Sequence, residues 1–168
     1  MSATGTRAVA ALRRAGIPHE LHEYASAERH GAARGDRPNY GLEAVAALGV
    51  DPSWVGKTLV VAADGVLTLA IVPTSRTLDL KRLAAAVGAH RAVMAEPADA
   101  ERATGYLVGG ISPIATTRRM RVLLDLPAAS LERVYVSGGR RGLQVSLRPD
   151  DLVAVVGALV ASISSGGA

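Results

Sequence analysis

At 168 residues the chain has the length of one folding unit, enough to bury about two thirds of its unfolded surface. It contains no cysteine, which excludes disulfides, thiolate nucleophiles and cysteine-ligated metals, and 19 Lys and Arg against 15 Asp and Glu give a formal charge of +4 that permits a polyanionic partner. Four Tyr, one Trp and no Phe are too few for a platform of stacked bases, so any nucleic-acid contact is expected to be with phosphate.

The first seven residues lack the apolar core of a signal peptide, and the longest apolar stretch, 152–160, is far short of a bilayer span. The expectation is a cytoplasmic chain without membrane contact, organised as one domain over 1–163 with a flexible tail at 164–168. Val9 and Leu12 among alanines, with Thr4 or Thr6 as N-cap and Gly16 beyond, predict a short helix over 6–15. Residues 19–24 alternate as a strand that puts His22 and Tyr24 on one face and Leu21 on the other. His19 and His22 face opposite ways on such a strand and read as surface histidines rather than a metal pair. Residues 25–39, rich in Ala, Gly, Arg and Asp without a period, read as a mobile loop. Leu42, Val45 and Leu48 at helical spacing, with Gly49 beyond, predict a second helix over 40–48. Residues 51–54 make a turn in which Trp54 is expected to be a packing anchor.

Two apolar runs, 57–63 and 66–72, flank Asp64-Gly65 and predict a hairpin whose sheet is covered on both faces. Lys57 stands at the mouth of its first strand, where the ammonium must reach solvent or an anion. Asp79 caps a helix that Gly88 ends, residues 91–95 form a strand, and Pro97 opens a helix to 104. The segment 116–121, Thr-Thr-Arg-Arg-Met-Arg, is either a solvated face or a contact for phosphate. Strands follow at 122–125 and 133–137, and residues 138–142 join the latter to 143–147 as a second hairpin. Pro149-Asp150-Asp151 opens a last helix expected to run to about Ile163. Short helices interleaved with strands and hairpins exclude an all-parallel wound sheet and a helical bundle. A mixed α/β fold remains, a mixed sheet flanked by helices.

Between the helix ending at 104 and the arginine-rich segment, residues 105–113 (GYLVGGISP) place three glycines, a hydroxyl and a proline in an otherwise apolar run. This is either a tight corner between strands or a loop whose N–H groups from Gly109 to Ser112 converge on a carbonyl or phosphate oxygen. Ser112 and Ser137 have no histidine in a recognised motif to activate them, which disfavours a covalent mechanism. His19, His22, His30 and His90 form no metal-ligand pair, so no metal or other cofactor is expected. A cation at Lys57 and oriented amides remain, and these suffice to polarise the carbonyl of an activated ester.

Three stretches carry a family likeness: VGKTLV at 55–60, the glycine run at 105–113, and YVSGGRRGL at 135–143. From about Val9 to about Val160 the chain resembles the YbaK family of aminoacyl-tRNA deacylases, above all its Cys-tRNA(Pro) deacylase branch. The resemblance implies a sheet curled into a barrel-like core with the site at its open end. It implies that Lys57 anchors the terminal adenosine, with Gly109 and Gly110 as further catalytic positions, and that the loop through Ile111, Ser112 and Pro113 binds the aminoacyl carbonyl. Tyr24, Thr58 and Ser137 match pocket positions that orient the amino acid or ribose. Where close family members often carry Asp, this chain has Gln144, which can donate and accept hydrogen bonds but supplies no charge or general base. The implied activity is removal of cysteine from Cys-tRNA(Pro), the substrate's own thiol attacking its ester. The implied partners are the aminoacyl-tRNA 3′ end and prolyl-tRNA synthetase. A deacylase for Ala-tRNA(Pro) and a non-catalytic synthetase or tRNA adaptor stay open; Lys57 together with an intact 109–113 loop favours the enzyme.

Overall fold

The computed structural model describes residues 5–26 and 40–166. The loop expected at 25–39 therefore lies outside the described residues from 27 onward. At the centre is the hairpin of β2 (Gly56–Ala63) and β3 (Val66–Pro73), with Lys57 opposite Val72 and Ala63 opposite Val66. Its turn residues Asp64 and Gly65 have φ of 47° and 80°, the paired positive values of a two-residue hairpin turn. The Asp64 carboxylate accepts the N–H groups of His90 and Arg91 at 2.9 and 3.0 Å, which ties the turn to β5 (Ala92–Met94).

The hairpin is the middle of a five-stranded sheet ordered β5-β2-β3-β6-β9, with β6 at Arg121–Asp125 and β9 at Leu159–Ala161. β2 is antiparallel to both its neighbours, whereas β3–β6 and β6–β9 are parallel, so the sheet is mixed as expected. Strand alternation sends Val60, Leu69, Ile71, Val122 and Leu124 into one core and Val61, Ala70, Val72 and Leu123 into another. The first core is closed by Val9 and Leu12 of α1 (Arg7–Arg14) and by a second, antiparallel sheet ordered β1-β8-β7 (Glu20–Glu23, Leu143–Leu147, Val134–Ser137). The second core is closed by Leu83 of α3 (Leu80–Val87) and by Ile163. That is why both β2 and β3 are apolar at successive positions: each face has its own lid.

The two larger sheets meet at β2. Along the edge away from β3, Val61–Ala63 pairs with β5, while Val55, just before the strand, bridges Tyr135 of β7 in parallel. Between those two contacts β5 and β7 diverge; the Ala95 N–H still donates to the Val60 carbonyl at 3.0 Å, and the strand edge from Gly56 to Leu59 lies open. The curl implied by the family resemblance takes this form, a wrapped surface that does not close among the described residues.

Four expectations need correction. The last helix, α6 (Pro149–Val156), ends at Gly157 with φ 66°, whose N–H donates to the Val153 carbonyl; the apolar residues beyond it form β9 instead of another turn of helix. The tail is not free at its start. Ser164–Ser165 (β10) pairs with Thr77–Leu78 (β4), and the fully buried Asp125 accepts the Ile163 N–H at 3.0 Å and the Ser164 hydroxyl at 2.5 Å. Trp54 is 44% exposed rather than a buried anchor; its turn is held by Asp51, which accepts the Ser53 N–H and hydroxyl at 2.8 and 2.7 Å. His22 is half-buried rather than superficial, with Nε2 2.7 Å from the Ser146 hydroxyl and its ring 4.9 Å from Tyr135, and desolvation lowers its pKa.

Candidate active site

A cleft of about 410 Å³ occupies the gap in the β2 edge. One side is the strand from Gly56 to Val60. Met94 and Ala95, with Pro97 and Ala100 of α4 (Pro97–Thr104), make an apolar wall; Val108, Gly109 and Ile111 face it from the glycine run, and Tyr40, Ser137 and Gln144 complete the rim. Every one of these walls comes from a different part of the chain, and the divergence of β5 from β7 is what opens the space between them.

Lys57 is half-buried here, and desolvation lowers its pKa. No Asp or Glu lines the cleft among the described residues, so the ammonium has no carboxylate partner and is available to an anion or carbonyl entering from solvent. Two further polar atoms are buried without a hydrogen-bond partner, Thr58 Oγ1 and Gln144 Oε1. Buried polar atoms are normally paired, so two orphans beside one unpaired cation mark a surface that a polar ligand completes. Tyr24 does not line the cleft; it is half-buried, and desolvation raises its phenol's pKa.

The glycine run joins α4 to β6, which rules out a corner between two strands. Its own bonds shape it. The Gly110 N–H donates to the Leu107 carbonyl at 2.9 Å, the Glu101 carboxylate accepts the Val108 N–H at 2.8 Å, and the Ser112 hydroxyl accepts the Ile114 N–H at 3.1 Å. The converging row of amides from Gly109 to Ser112 is therefore not present as expected, since the Gly110 amide is already committed to a turn. Ser112 and Pro113 are buried behind the cleft, as is Gly110. The remaining predicted residues, Lys57, Thr58, Gly109, Ile111, Ser137 and Gln144, all line it.

The two adjacent glycines have different reasons to be glycine. Gly109 has φ 95°, and a Cβ there would lie 2.6 Å from Arg141 Nε and 2.8 Å from the Tyr40 ring. A Cβ at Gly110 would lie 2.6 Å from the Arg140 Cα, because the 138–142 loop packs on it backbone to backbone. The sequence pattern missed Tyr40 and Arg141. The Arg141 guanidinium lies 4.6 Å over the Tyr40 ring and donates to the Val108 carbonyl from Nη2 at 3.1 Å, so it clamps the glycine loop to α2 (Tyr40–Leu48). The one signal for Arg141 was its place in the YVSGGRRGL stretch of the family likeness, and Tyr40 had none beyond opening a helix.

The profile of the aminoacyl-tRNA editing domain matches residues 40–155, which spans β2, the glycine run and the second hairpin. The chain belongs to the aminoacyl-tRNA editing domain family. Over 162 residues this editing domain is 31% identical to EbsC of Enterococcus faecalis, a candidate Cys-tRNA(Pro)/Cys-tRNA(Cys) deacylase, covering 95% of this chain and 93% of the relative. Among solved structures it is similar to a candidate trans-editing enzyme for prolyl-tRNA synthetase, with TM-score 0.81, 25% identity and 99% of both chains covered. It is likewise similar to a crystal structure described as a hypothetical protein, with TM-score 0.77, 27% identity, and 92% of this chain and 96% of that one covered. Every residue that lines the cleft lies within the part of the editing domain that the family profile covers.

Proposed function

We propose that this editing domain works in trans as a deacylase that removes cysteine from mischarged Cys-tRNA(Pro), with prolyl-tRNA synthetase as the partner that presents the tRNA. The observation that carries this is the Lys57 ammonium, unpaired among the described residues, in a cleft to which those residues bring no carboxylate but two unsatisfied polar atoms. The names of EbsC and of the trans-editing structure support the choice of substrate and partner.

In this mechanism Lys57 holds the oxygens of the terminal ribose, and Thr58 and Gln144 orient the aminoacyl group. The apolar wall from Met94 to Ala100 accepts a small side chain. The thiol of the substrate attacks its own ester carbonyl: the sulfur–carbon bond forms, the carbon–oxygen bond to ribose breaks, and the thiol proton passes to the departing ribose oxygen. Cysteine leaves as a thiolactone that water then opens. The protein supplies position and charge, and no residue of its own becomes covalently attached.

The test is deacylation of tRNA(Pro) charged in turn with cysteine, alanine, serine and proline. Cysteine is expected to be cleared and proline spared. Clearance of alanine in preference to cysteine moves the substrate to alanine, and failure to clear any of them overturns the proposal.

A further inference from the structure

A second cleft, of about 650 Å³, opens across α4 from the first. Pro97 and Ala100 of that helix line the active cleft, and Asp99, Arg102 and Ala103 line this one. α4, of eight residues, stands between the two clefts, and a helix with its side chains is about 10 Å across. The floor is the turn of the central hairpin, from Ala62 to Leu67, and the far wall is the segment from Arg118 to Arg121.

Four guanidinium groups, Arg102, Arg118, Arg119 and Arg121, surround this space against the single carboxylate of Asp99, which pairs with Arg102. Arg121 donates from Nε and Nη2 to the Thr68 hydroxyl at 3.3 and 3.0 Å, a neutral acceptor that orients the group and leaves its charge uncompensated. The side chains of Arg118 and Arg119 are exposed and have neither ion pair nor hydrogen bond among the described residues. The segment that carries them is tied down at Thr117 and Arg118 nevertheless. The Arg118 and Thr117 N–H groups donate to the Ala103 and Thr104 carbonyls at 3.0 and 3.1 Å, and the Thr117 hydroxyl donates to Ala103 at 3.0 Å. An arginine pair held on a rigid segment and facing two more arginines is poorly explained as solubilising charge, because like charges gathered around one cleft repel unless an anion sits among them. Guanidinium groups match phosphate oxygens in pairs, and the scarcity of aromatic side chains leaves phosphate rather than base as the group to be held.

We infer that the cleft ringed by Arg102, Arg118, Arg119 and Arg121 holds the sugar-phosphate backbone of the tRNA acceptor end whose aminoacyl terminus lies in the active cleft. This rests on the proposed deacylase function for its choice of nucleic acid. This cleft supplies, on the editing domain itself, affinity that does not depend on the amino acid.

The test pairs binding with turnover. Uncharged tRNA(Pro) is titrated by fluorescence anisotropy into wild type and into the Arg118→Glu/Arg119→Glu variant, with Arg118→Gln/Arg119→Gln as the milder change. Cysteinyl-adenosine ester and Cys-tRNA(Pro) are then compared as substrates. Expected are at least about tenfold weaker tRNA binding, a shallower dependence on salt by about one to two phosphates, and a KM raised for Cys-tRNA(Pro) with kcat little changed. Cleavage of the adenosine ester should be unaffected. Equal tRNA binding by wild type and variants overturns the inference, and so does a loss of synthetase capture with tRNA binding intact, which would make the cleft a protein contact. A wild type that binds tRNA through these arginines but cleaves neither ester defeats the deacylase reading and leaves this one standing.

Discussion

Lys57 sits where its charge is costly to the fold and useful to a ligand. Desolvation lowers its pKa, so the unfolded chain binds that proton more tightly than the native one. The native state therefore gains stability as pH rises between the folded pKa and the ordinary lysine value, whereas activity that needs the ammonium falls over the same interval. Lys57→Met should remove this pH-dependent component and raise stability at neutral pH by about 0.5 kcal/mol, read as an upward shift in Tm. An unchanged or lower Tm would mean that the ammonium has a partner in the native state. The adjacent glycines separate by a different measurement. Gly110→Ala forces a methyl group onto the Arg140 backbone and should cost about 1–3 kcal/mol in urea denaturation. Gly109→Ala meets side chains that can move; it should cost about 1–2 kcal/mol through its positive φ and lower activity by displacing Arg141 from Tyr40. Equal stability losses with full activity at Gly109→Ala would reduce that position to packing. Lys57 and Gly109 were legible in the sequence because a lysine opening an apolar strand and a Gly-Gly pair are both locally anomalous. Tyr40 and Arg141 were not, since a cation–π contact between residues so far apart in the chain leaves no local pattern.

At the scale of elements, most helices and strands announced themselves through caps and alternation: Thr6 before α1, whose hydroxyl accepts the Val9 N–H at 3.2 Å, and Asp79 before α3, which accepts those of Lys81 and Arg82 at 3.0 and 3.1 Å. The C-terminal end was misleading because Leu152, Val153, Val156, Leu159 and Val160 keep helical spacing across Gly157, and only the glycine marks the break. What decides the outcome is tertiary. Asp125, at the end of β6, accepts from Ile163 and Ser164, and Arg76 and Arg82 both donate to Ser164, from Nε to its hydroxyl at 2.6 Å and from Nη1 to its carbonyl at 2.7 Å. Asp125→Ala would strand a buried N–H and a buried hydroxyl, and should cost about 2–4 kcal/mol with enhanced proteolysis of the segment after Ala161. A loss within about 0.5 kcal/mol would show that β10 is held by its pairing to β4 alone.

For the whole molecule, the mixed α/β class was legible in the short helices interleaved with strands and hairpins, and the successive apolar positions of β2 and β3 pointed to a sheet covered on both faces. The location of the cleft was not. It depends on β2 sharing one edge between β5 at one end and the Val55–Tyr135 bridge at the other, a register among three strands that no single stretch encodes. The family likeness named many of the residues that line the cleft, and the fold buries Gly110, Ser112 and Pro113 behind it. The decisive charge therefore stands at one position, Lys57. Single-turnover deacylation of Cys-tRNA(Pro), with wild type and Lys57→Met run side by side and the fold of each verified by its melting curve, measures that directly. Wild type should clear the ester, and the folded variant should be slower by about 10²–10³-fold, the loss expected when a charge that stabilises the reacting group is removed. A folded Lys57→Met protein that clears cysteine at the wild-type rate would contradict the assignment of this cleft as the active site.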